Sequence, residues 1–232
     1  MADPELSILI AARNEEVLLP GCLASIAAQD AGAGRVEAVV IANGCTDRTA
    51  ALAREWAAAH PEIPCTVLEL PEGNISGALN AGAAAARGGT VAIVDADSRM
   101  EPHLGRRILE RVAEGWPAGT IRIKADSDDR LDRAYFDLIE LGKKRGSLGM
   151  MFYADRDALI AAGGFDPEIL LGADYVTQKA IAARGVRFRH LDDAAILTSP
   201  RRIRRLPFRF GMVTMMVRWT LCSIGIGRTR PY

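Results

Sequence analysis

The segment VAIVDADS, residues 91–98, places two carboxylates directly after a short apolar run. Residues 90–94 are apolar or β-branched, which is typical of a buried strand. Carboxylates held together repel each other unless a cation or hydrogen-bond donors compensate them. Because alternate side chains of an extended chain point to the same side, Asp95 and Asp97 would face one ligand. Hard cations such as Mg²⁺ and Mn²⁺ prefer carboxylate ligands of this kind. The structural alternative is that both acids are turn residues that cap the helix near Pro102.

Three more polar segments have residue types that could bind or react. AARNEE, residues 11–16, and NGCTD, residues 43–47, each follow an apolar run, and LLGADYVTQKA, residues 170–180, contains Asp174. Each has a structural alternative: a glutamate in a first helical turn, a turn after a strand, and an N-cap for a helix through Arg184.

The elements around these segments alternate between strand and helix. Apolar runs predict strands at 6–11, 36–42, 65–70 and 90–95, with helices at 18–26, 46–59 and 76–87 between them. This alternation predicts an α/β fold with a mostly parallel sheet covered on both faces. Ligands bind at the carboxyl ends of such strands, so AARNEE, NGCTD and the DADS of residues 95–98 should converge on one crevice.

Composition restricts the class of protein. The 232 residues are 49% hydrophobic and 25% charged, which is typical of a globular chain. The four cysteines are scattered and form no C-x-x-C pair, which argues against a disulfide scaffold or a zinc site. The first residues, MADPELSILIA, lack the features of a signal peptide, so we expect a cytoplasmic protein.

Five segments in order resemble the family-2 nucleotide-sugar glycosyltransferases of the GT-A fold. They are SILIAARNEE, VVIANGCTDRT, GALNAGAAAARGGTVAIVDAD, FYADRDALIAAGGFD and GADYVTQKAIAARG. The resemblance implies a GT-A-type sheet flanked by helices in one domain over 1–202. Within it, 1–100 would form a Rossmann-like nucleotide-sugar-binding half and 101–202 the acceptor-binding half. Residues 203–232 would form a helical C-terminal tail.

The resemblance also implies an activity. Such an enzyme is an inverting, metal-dependent glycosyltransferase of the hexosyltransferase type, which moves one sugar from a UDP- or GDP-sugar to an acceptor hydroxyl. Asp97 would hold Mg²⁺ or Mn²⁺ with Asp95, which also faces the ribose, and Asp174 would be the general base. The donor would be bound by a larger set: Ala11, Ala12, Arg13, Glu15, Asn43, Gly77, Asp95, Ala96, Asp97, Arg201 and Arg202.

Several positions depart from the family pattern. Arg13 replaces an aromatic residue that is common in the family, and Asn43 replaces an acid that commonly recognises the nucleobase. The donor could therefore be a UDP-sugar or a GDP-sugar. No basic residue lies near Asn74, and Arg201 and Arg202 could supply charge to the diphosphate instead. Ala173 replaces the glutamate that usually precedes the general base. Because of these departures, a degenerate nucleotide-sugar-binding or scaffold protein remains an alternative. A nucleotidyltransferase is disfavoured, because that class usually has a glycine-rich phosphate loop near the N-terminus and AARNEE contains no glycine.

The C-terminal segment has an uneven charge. After Asp193 the chain contains eight arginines and no acid. Its apolar part is interrupted by Arg218 and is short for a membrane span of about 20 residues. Phe208, Met212, Met215, Trp219 and Cys222 could share one helical face. We expect peripheral contact with the inner face of a membrane, which would suit a lipid-linked or cell-envelope acceptor; the alternative is packing on the domain or a second subunit. We expect no nucleic-acid partner.

Overall fold

The computed structural model describes residues 3–71, 74–146, 148–205 and 210–223. The first half follows the predicted alternation, with β1 Leu6–Ala12, α1 Leu19–Ala27, β2 Val36–Asn43, α2 Thr49–Ala59, β3 Cys65–Leu70, α3 Ile75–Ala85 and β4 Thr90–Ile93. The second half comprises β5 Ser98–Met100, α4 Leu104–Ala113, β6 Ala118–Ala125, α5 Arg130–Lys144, β7 Phe152–Asp155, α6 Arg156–Ala161, α7 Ala173–Ala183, β8 Leu191–Thr198, α8 Arg201–Arg204 and α9 Phe210–Ser223.

The described strands form one eight-stranded sheet in the order β3-β2-β1-β4-β7-β6-β8-β5. The four strands of the first half pair in parallel with one another. Ala12 is opposite Ala42, so the loops that follow β1 and β2 emerge side by side. This register brings the polar segments after β1, β2 and β4 to one edge of the sheet, as the alternation predicts.

The second half adds antiparallel strands. β7 pairs antiparallel with both β4 and β6, and β5 pairs antiparallel with β8, whereas β6 and β8 are parallel. β5 and β7 are short, and their neighbours in the sheet are distant in sequence. The sheet is therefore mixed, with its parallel strands grouped mainly in the first half.

Two hydrophobic clusters cover the two faces of the sheet. Residues of β1 illustrate the division: Ile8 and Ile10 belong to one cluster, and Leu9 belongs to the other. Both faces of the central strands are thus buried, which explains why those strands are continuously apolar.

Helix α9 covers part of this core with one face. Gly211 lies against Ile203, and Met212 and Met215 pack on the first hydrophobic cluster. Met212 and Met215 of the predicted helical face thus pack on the domain, which was the alternative to membrane contact for this face. The prediction at Phe208, Trp219 and Cys222 lies outside the side chains that the structure describes. Within the described residues, no helix has both the length and the apolar character needed to cross a bilayer.

Candidate active site

Asp95 and Asp97 lie in the connection between β4 and β5, at the predicted edge of the sheet. The end of β8 is held beside them, because the Ser199 amide donates to the Asp97 carbonyl at 3.1 Å. The Ser98 hydroxyl also donates to Thr198 Oγ1 at 2.9 Å. These bonds bring the start of α8, with its arginines, against the two carboxylates.

Asp97 is the most deeply buried acid of this group, with its side chain only 3% exposed. Its Oδ2 accepts a hydrogen bond from Arg201 Nε at 2.9 Å. Its Oδ1 is buried and has no hydrogen-bond partner among the residues that the structure describes. A buried polar atom without a partner carries a desolvation cost of about 1–3 kcal/mol, so this oxygen is suited to a ligand or cation.

The donor set fits a hard divalent cation that is shared with a substrate. Within the described residues, no three His, Cys, Asp or Glu side chains form a metal-binding group. Mg²⁺ does not need such a group, because it is usually bound by one or two carboxylates, waters and substrate phosphates. Asp97 Oδ1 offers one such carboxylate oxygen, and the half-buried Asp95 lies beside it.

The pKa of Asp95 is shifted by burial and by several charges of the site. Burial is the main cause that raises its pKa, and Arg202 opposes the shift from 3.9 Å. The negative charges of Asp97, Asp174 and Glu15 raise the pKa of Asp95 further. The charges of carboxylates from three segments therefore act on Asp95, and two arginines of α8 face Asp95 and Asp97.

Glu15 is positioned by a set of bonds between the loops after β1 and β2. The Glu15 amide donates to Thr49 Oγ1 at 2.8 Å, and the Thr46 amide donates to Asn14 Oδ1 at 2.8 Å. Asn14 has a φ of 54°, which Asn tolerates better than most residues. Glu15 pairs with the same Arg201 that holds Asp97, so one guanidinium joins both acids.

Asn43 lies at the carboxyl end of β2 and is 3% exposed. Its Oδ1 is buried without a hydrogen-bond partner within the described part of the chain. An amide can both donate and accept, so this side chain is suited to the edge of a nucleobase. Ala11 and Ala12 end the neighbouring strand β1, and Arg13 follows with an exposed side chain.

Gly77 lies in the first turn of α3, where its amide donates to Asn74 Oδ1 at 3.0 Å. Asn74 is thus the N-cap of the helix, and its Nδ2 also donates to the Pro167 carbonyl at 3.1 Å. This cap explains why a polar residue stands at position 74. The described contacts do not bring Gly77 to the carboxylates.

Asp174 lies in the first turn of α7, whose N-cap is Gly172. Its Oδ2 accepts a hydrogen bond from the Met150 amide. Burial raises the pKa of Asp174, although the amides of Tyr175 and Met150 and the charge of Lys143 oppose the shift. A partly exposed carboxylate with a raised pKa holds a proton more tightly than an ordinary aspartate, which suits an acceptor of protons.

A cleft of about 670 Å³ opens beside Asp97 and Arg201, on the side of α1 and β5. Its size is within the range of small-molecule sites. The lining residues are Val17, Leu18, Gly21, Asp97, Ser98, Arg99, Asp126, Ser199, Pro200, Arg201, Arg204 and Arg205. Six of these twelve residues are charged: Asp97, Arg99, Asp126, Arg201, Arg204 and Arg205.

Sequence reasoning missed the groups that hold the site together. Met150 and Lys143 belong to segments without a motif, and their roles depend on contacts with Asp174 and on pairing of α5 with β6. Asn14 and Thr49 could have been suspected, because a polar loop residue and a helix-start threonine often bond backbone amides.

Comparison with known proteins identifies relatives. The model of "Glycosyl transferase family 2" matches residues 7–163, more than half of the chain. Beta-monoglucosyldiacylglycerol synthase of Synechocystis sp. is 28% identical over 107 residues. That match covers 46% of this chain and 22% of the relative.

Two solved structures have a similar fold. TarS of S. aureus gives a TM-score of 0.69 at 16% identity, covering 97% of this chain and 44% of TarS. The mannosyltransferase PcManGT from Pyrobaculum calidifontis, solved with GDP-Man and Mn²⁺, gives a TM-score of 0.68 at 23% identity. That likeness covers 94% of this chain and 65% of PcManGT. TarS has also been solved with UDP-GlcNAc. The fold is that of the GT-A glycosyltransferases.

Proposed function

We propose that this chain, which belongs to glycosyl transferase family 2, is an inverting, metal-dependent enzyme that transfers one sugar to an acceptor hydroxyl. Its family and fold make it a glycosyltransferase. The donor would be a UDP- or GDP-sugar, since similar structures hold UDP-GlcNAc or GDP-Man. We also propose that residues 1–100 form the donor half and residues 101–202 the acceptor half, because Glu15, Asn43, Asp95 and Asp97 lie in the first part and Asp174 in the second.

One observation supports the proposal most directly: Asp97 Oδ1 is buried and unpartnered within the described residues, in a crevice with three other carboxylates. Carboxylates this close repel one another, and a bound cation or the hydrogen-bond donors of a ligand would compensate their charge. Asp97, with Asp95, would hold Mg²⁺ or Mn²⁺. When bound, the ion would neutralise charge that develops on the leaving diphosphate.

The sugar donor would be recognised by buried polar atoms that lack a partner and by the arginines that pair with the carboxylates. Asn43 Oδ1 is available to a donor on the base, and Glu15 Oε2 is likewise buried without a partner among the described residues. Arg201 and Arg202 now face carboxylates, at 2.9 Å from Asp97 and 3.9 Å from Asp95. We infer that their guanidinium groups turn to the diphosphate when a donor binds, because phosphate offers the same bidentate geometry.

Asp174 would accept the proton of the acceptor hydroxyl. A single displacement needs one base, which removes that proton as the oxygen attacks the anomeric carbon opposite the leaving nucleotide. The hydroxyl O–H bond breaks, a new glycosidic bond forms, and the bond to the nucleotide diphosphate breaks with inversion. The Met150 amide keeps the Asp174 carboxylate oriented for this transfer.

The first prediction concerns donor binding. UDP or GDP, with Mn²⁺, should raise the melting temperature of the protein by mass action, whereas either component alone should have a smaller effect. Thermal melting with a panel of nucleotides and their sugars would identify the base. Transfer or hydrolysis of the donor should accompany the shift. Binding without turnover over a panel of acceptors would instead support the degenerate binding protein, and no shift with any nucleotide would contradict the proposal.

We further propose a lipid-linked acceptor and contact with an anionic membrane surface through α9. Five apolar side chains of this helix are 38–58% exposed: Phe210, Val213, Met216, Val217 and Leu221. The chain after Asp193 contains eight arginines and no acid, so its charge is complementary to anionic lipid. One relative is named for a glucosyldiacylglycerol. Apolar side chains beside basic ones are typical of helices that lie in the membrane interface.

The second prediction tests this surface. The double variant Val213→Asp/Val217→Asp should lose most of its co-sedimentation with phosphatidylcholine vesicles that contain phosphatidylglycerol, because charge would enter the apolar interface. Leu131→Asp/Ile160→Asp is the matched control, since it adds the same charge at exposed apolar sites on α5 and α6. Equal binding by all three proteins, or no binding by the unmodified one, would overturn the proposal. So would a dimer of the unmodified protein that becomes monomeric in the α9 variant.

A further inference from the structure

Lys143 is a buried cation behind the candidate base. Its side chain is 3% exposed, on the inner face of α5. Its Nζ donates to the Ile121 carbonyl at 2.7 Å and to the Met150 carbonyl at 2.9 Å. Lysine is rarely buried unless it is paired, so its position here needs a reason. The Met150 contact places this ammonium group one peptide from the amide that binds Asp174.

The segment that Lys143 binds has an unusual backbone. Gly149, Met150 and Met151 have φ values of 124°, 28° and 48°. Positive φ costs a residue other than glycine about 1–3 kcal/mol and persists only where the surroundings enforce it. Three contacts enforce it here besides Lys143. Gly149 donates to Gln178 Oε1 at 3.3 Å, Met150 donates to Asp174, and Met151 accepts from the Ile121 amide at 3.1 Å.

Other ionisable groups surround Lys143 in the same buried cluster. Glu140 Oε1 lies 3.8 Å from its Nζ and also accepts from the Ile123 amide at 2.9 Å. His190 Nε2 lies 3.1 Å from Glu140 Oε2, and its Nδ1 lies 2.9 Å from Thr120 Oγ1. Burial lowers the pKa of Lys143 to about 8, although the negative charges of Glu140 and Asp174 oppose this shift. The positive charge of Lys143 therefore interacts both with Glu140 and with the candidate base Asp174.

We propose that Lys143 is a positioning residue that keeps the Met150 amide on Asp174 and supplies the positive charge that faces this carboxylate. The inference rests on the proposed function, because it assumes that Asp174 is the base. The carbonyl and the amide of Met150 then have separate tasks, since one is held by Lys143 and the other holds Asp174. Gln178 fixes the preceding peptide from the same helix as Asp174.

The third prediction compares Lys143→Met with Glu140→Gln. Removing the ammonium charge should raise the pKa of Asp174, so the acid limb of the kcat–pH profile should move to higher pH. The value of kcat should fall about 10- to 100-fold, because small misplacements of a reacting group have effects of that size. The KM for the nucleotide sugar should change little. Glu140→Gln removes the opposing charge from the same cluster, so its acid limb should stay in place or move to lower pH.

The pair of variants separates positioning from a purely structural role. Damage to the buried cluster alone would lower kcat in both variants and leave both pH profiles in place, and this result would overturn the inference. Lys143→Gln keeps an N–H donor if Lys143→Met does not fold, and it should show the same displacement of the acid limb. Asp174→Asn serves as the reference. If it is inactive while the Lys143 variants keep the normal profile, only this inference fails; if it retains normal kcat, the proposed base fails as well.

Discussion

Asp97→Asn should remove the dependence of donor binding on Mn²⁺ and lower kcat/KM by about 10³-fold. A cation that stabilises a leaving diphosphate supplies several kcal/mol, and each 1.36 kcal/mol corresponds to about tenfold in rate. Asp97 Oδ1 is buried and has no partner in the described part of the chain, so an amide at this position would directly weaken binding of the ion. The measurement is thermal melting and steady-state transfer over a titration of Mn²⁺.

Asp126→Asn is the matched control for this variant. Asp126 lines the same cleft and pairs with Arg99, so the substitution makes the same change in charge near the site. It should retain the Mn²⁺-dependent shift in melting temperature. If both variants lose the shift, general electrostatics of the cleft would explain the result; if Asp97→Asn keeps it, the proposed role of Asp97 in metal binding is wrong.

Asp97→Asn would also remove one of the two carboxylates that pair with Arg201. Its guanidinium joins Asp97 to Glu15 and so compensates two acids where the cation and donor would bind. Arg201 occupies Oδ2 of Asp97, so the unpartnered Oδ1 is the oxygen that a cation would meet first. Arginine and carboxylate bond well but exchange readily at partly exposed sites, which is consistent with a switch of Arg201 from Asp97 to diphosphate.

The sequence was sufficient to predict the edge of the sheet where the candidate site lies. Continuous apolar strands and the helices between them predict a parallel sheet, and the carboxyl ends of such strands lie together. Glu15, Asn43, Asp95 and Asp97 each follow or end one of these strands, so their positions follow from local patterns. The antiparallel pairing of β7 with β4 and β6 was not predicted, because a four-residue strand has little pattern of its own and its partners are distant in sequence.

The same reasoning explains which parts of the site sequence analysis missed. Asp174 was singled out because it belongs to a recognisable segment, whereas Lys143 has the appearance of any lysine near the end of an amphipathic helix. Its role depends on α5 packing against β6 and on the positive φ of Met150. Such a backbone conformation is enforced by tertiary contacts, and a methionine gives no local signal for it.

Asp174→Asn should lower kcat by about 10³-fold while the nucleotide-dependent shift in melting temperature stays the same. General-base catalysis contributes about 10²–10⁴-fold, and this carboxylate is the proposed base. In the unmodified enzyme, burial raises the pKa of Asp174, so activity should fall as the pH drops through a value above the usual carboxylate range. Asp157→Asn is the matched control, since Asp157 is an exposed acid in the first turn of α6.

The stability of this variant provides an independent check. A raised pKa means that the folded protein binds a proton at Asp174 more tightly than the unfolded chain does. This contribution to stability is present at low pH and is lost as the pH rises through the folded pKa. The neutral amide should therefore leave the melting temperature at pH 7 unchanged or raise it, even though activity is lost. A lower melting temperature with partial activity would instead assign Asp174 a structural role at the start of α7.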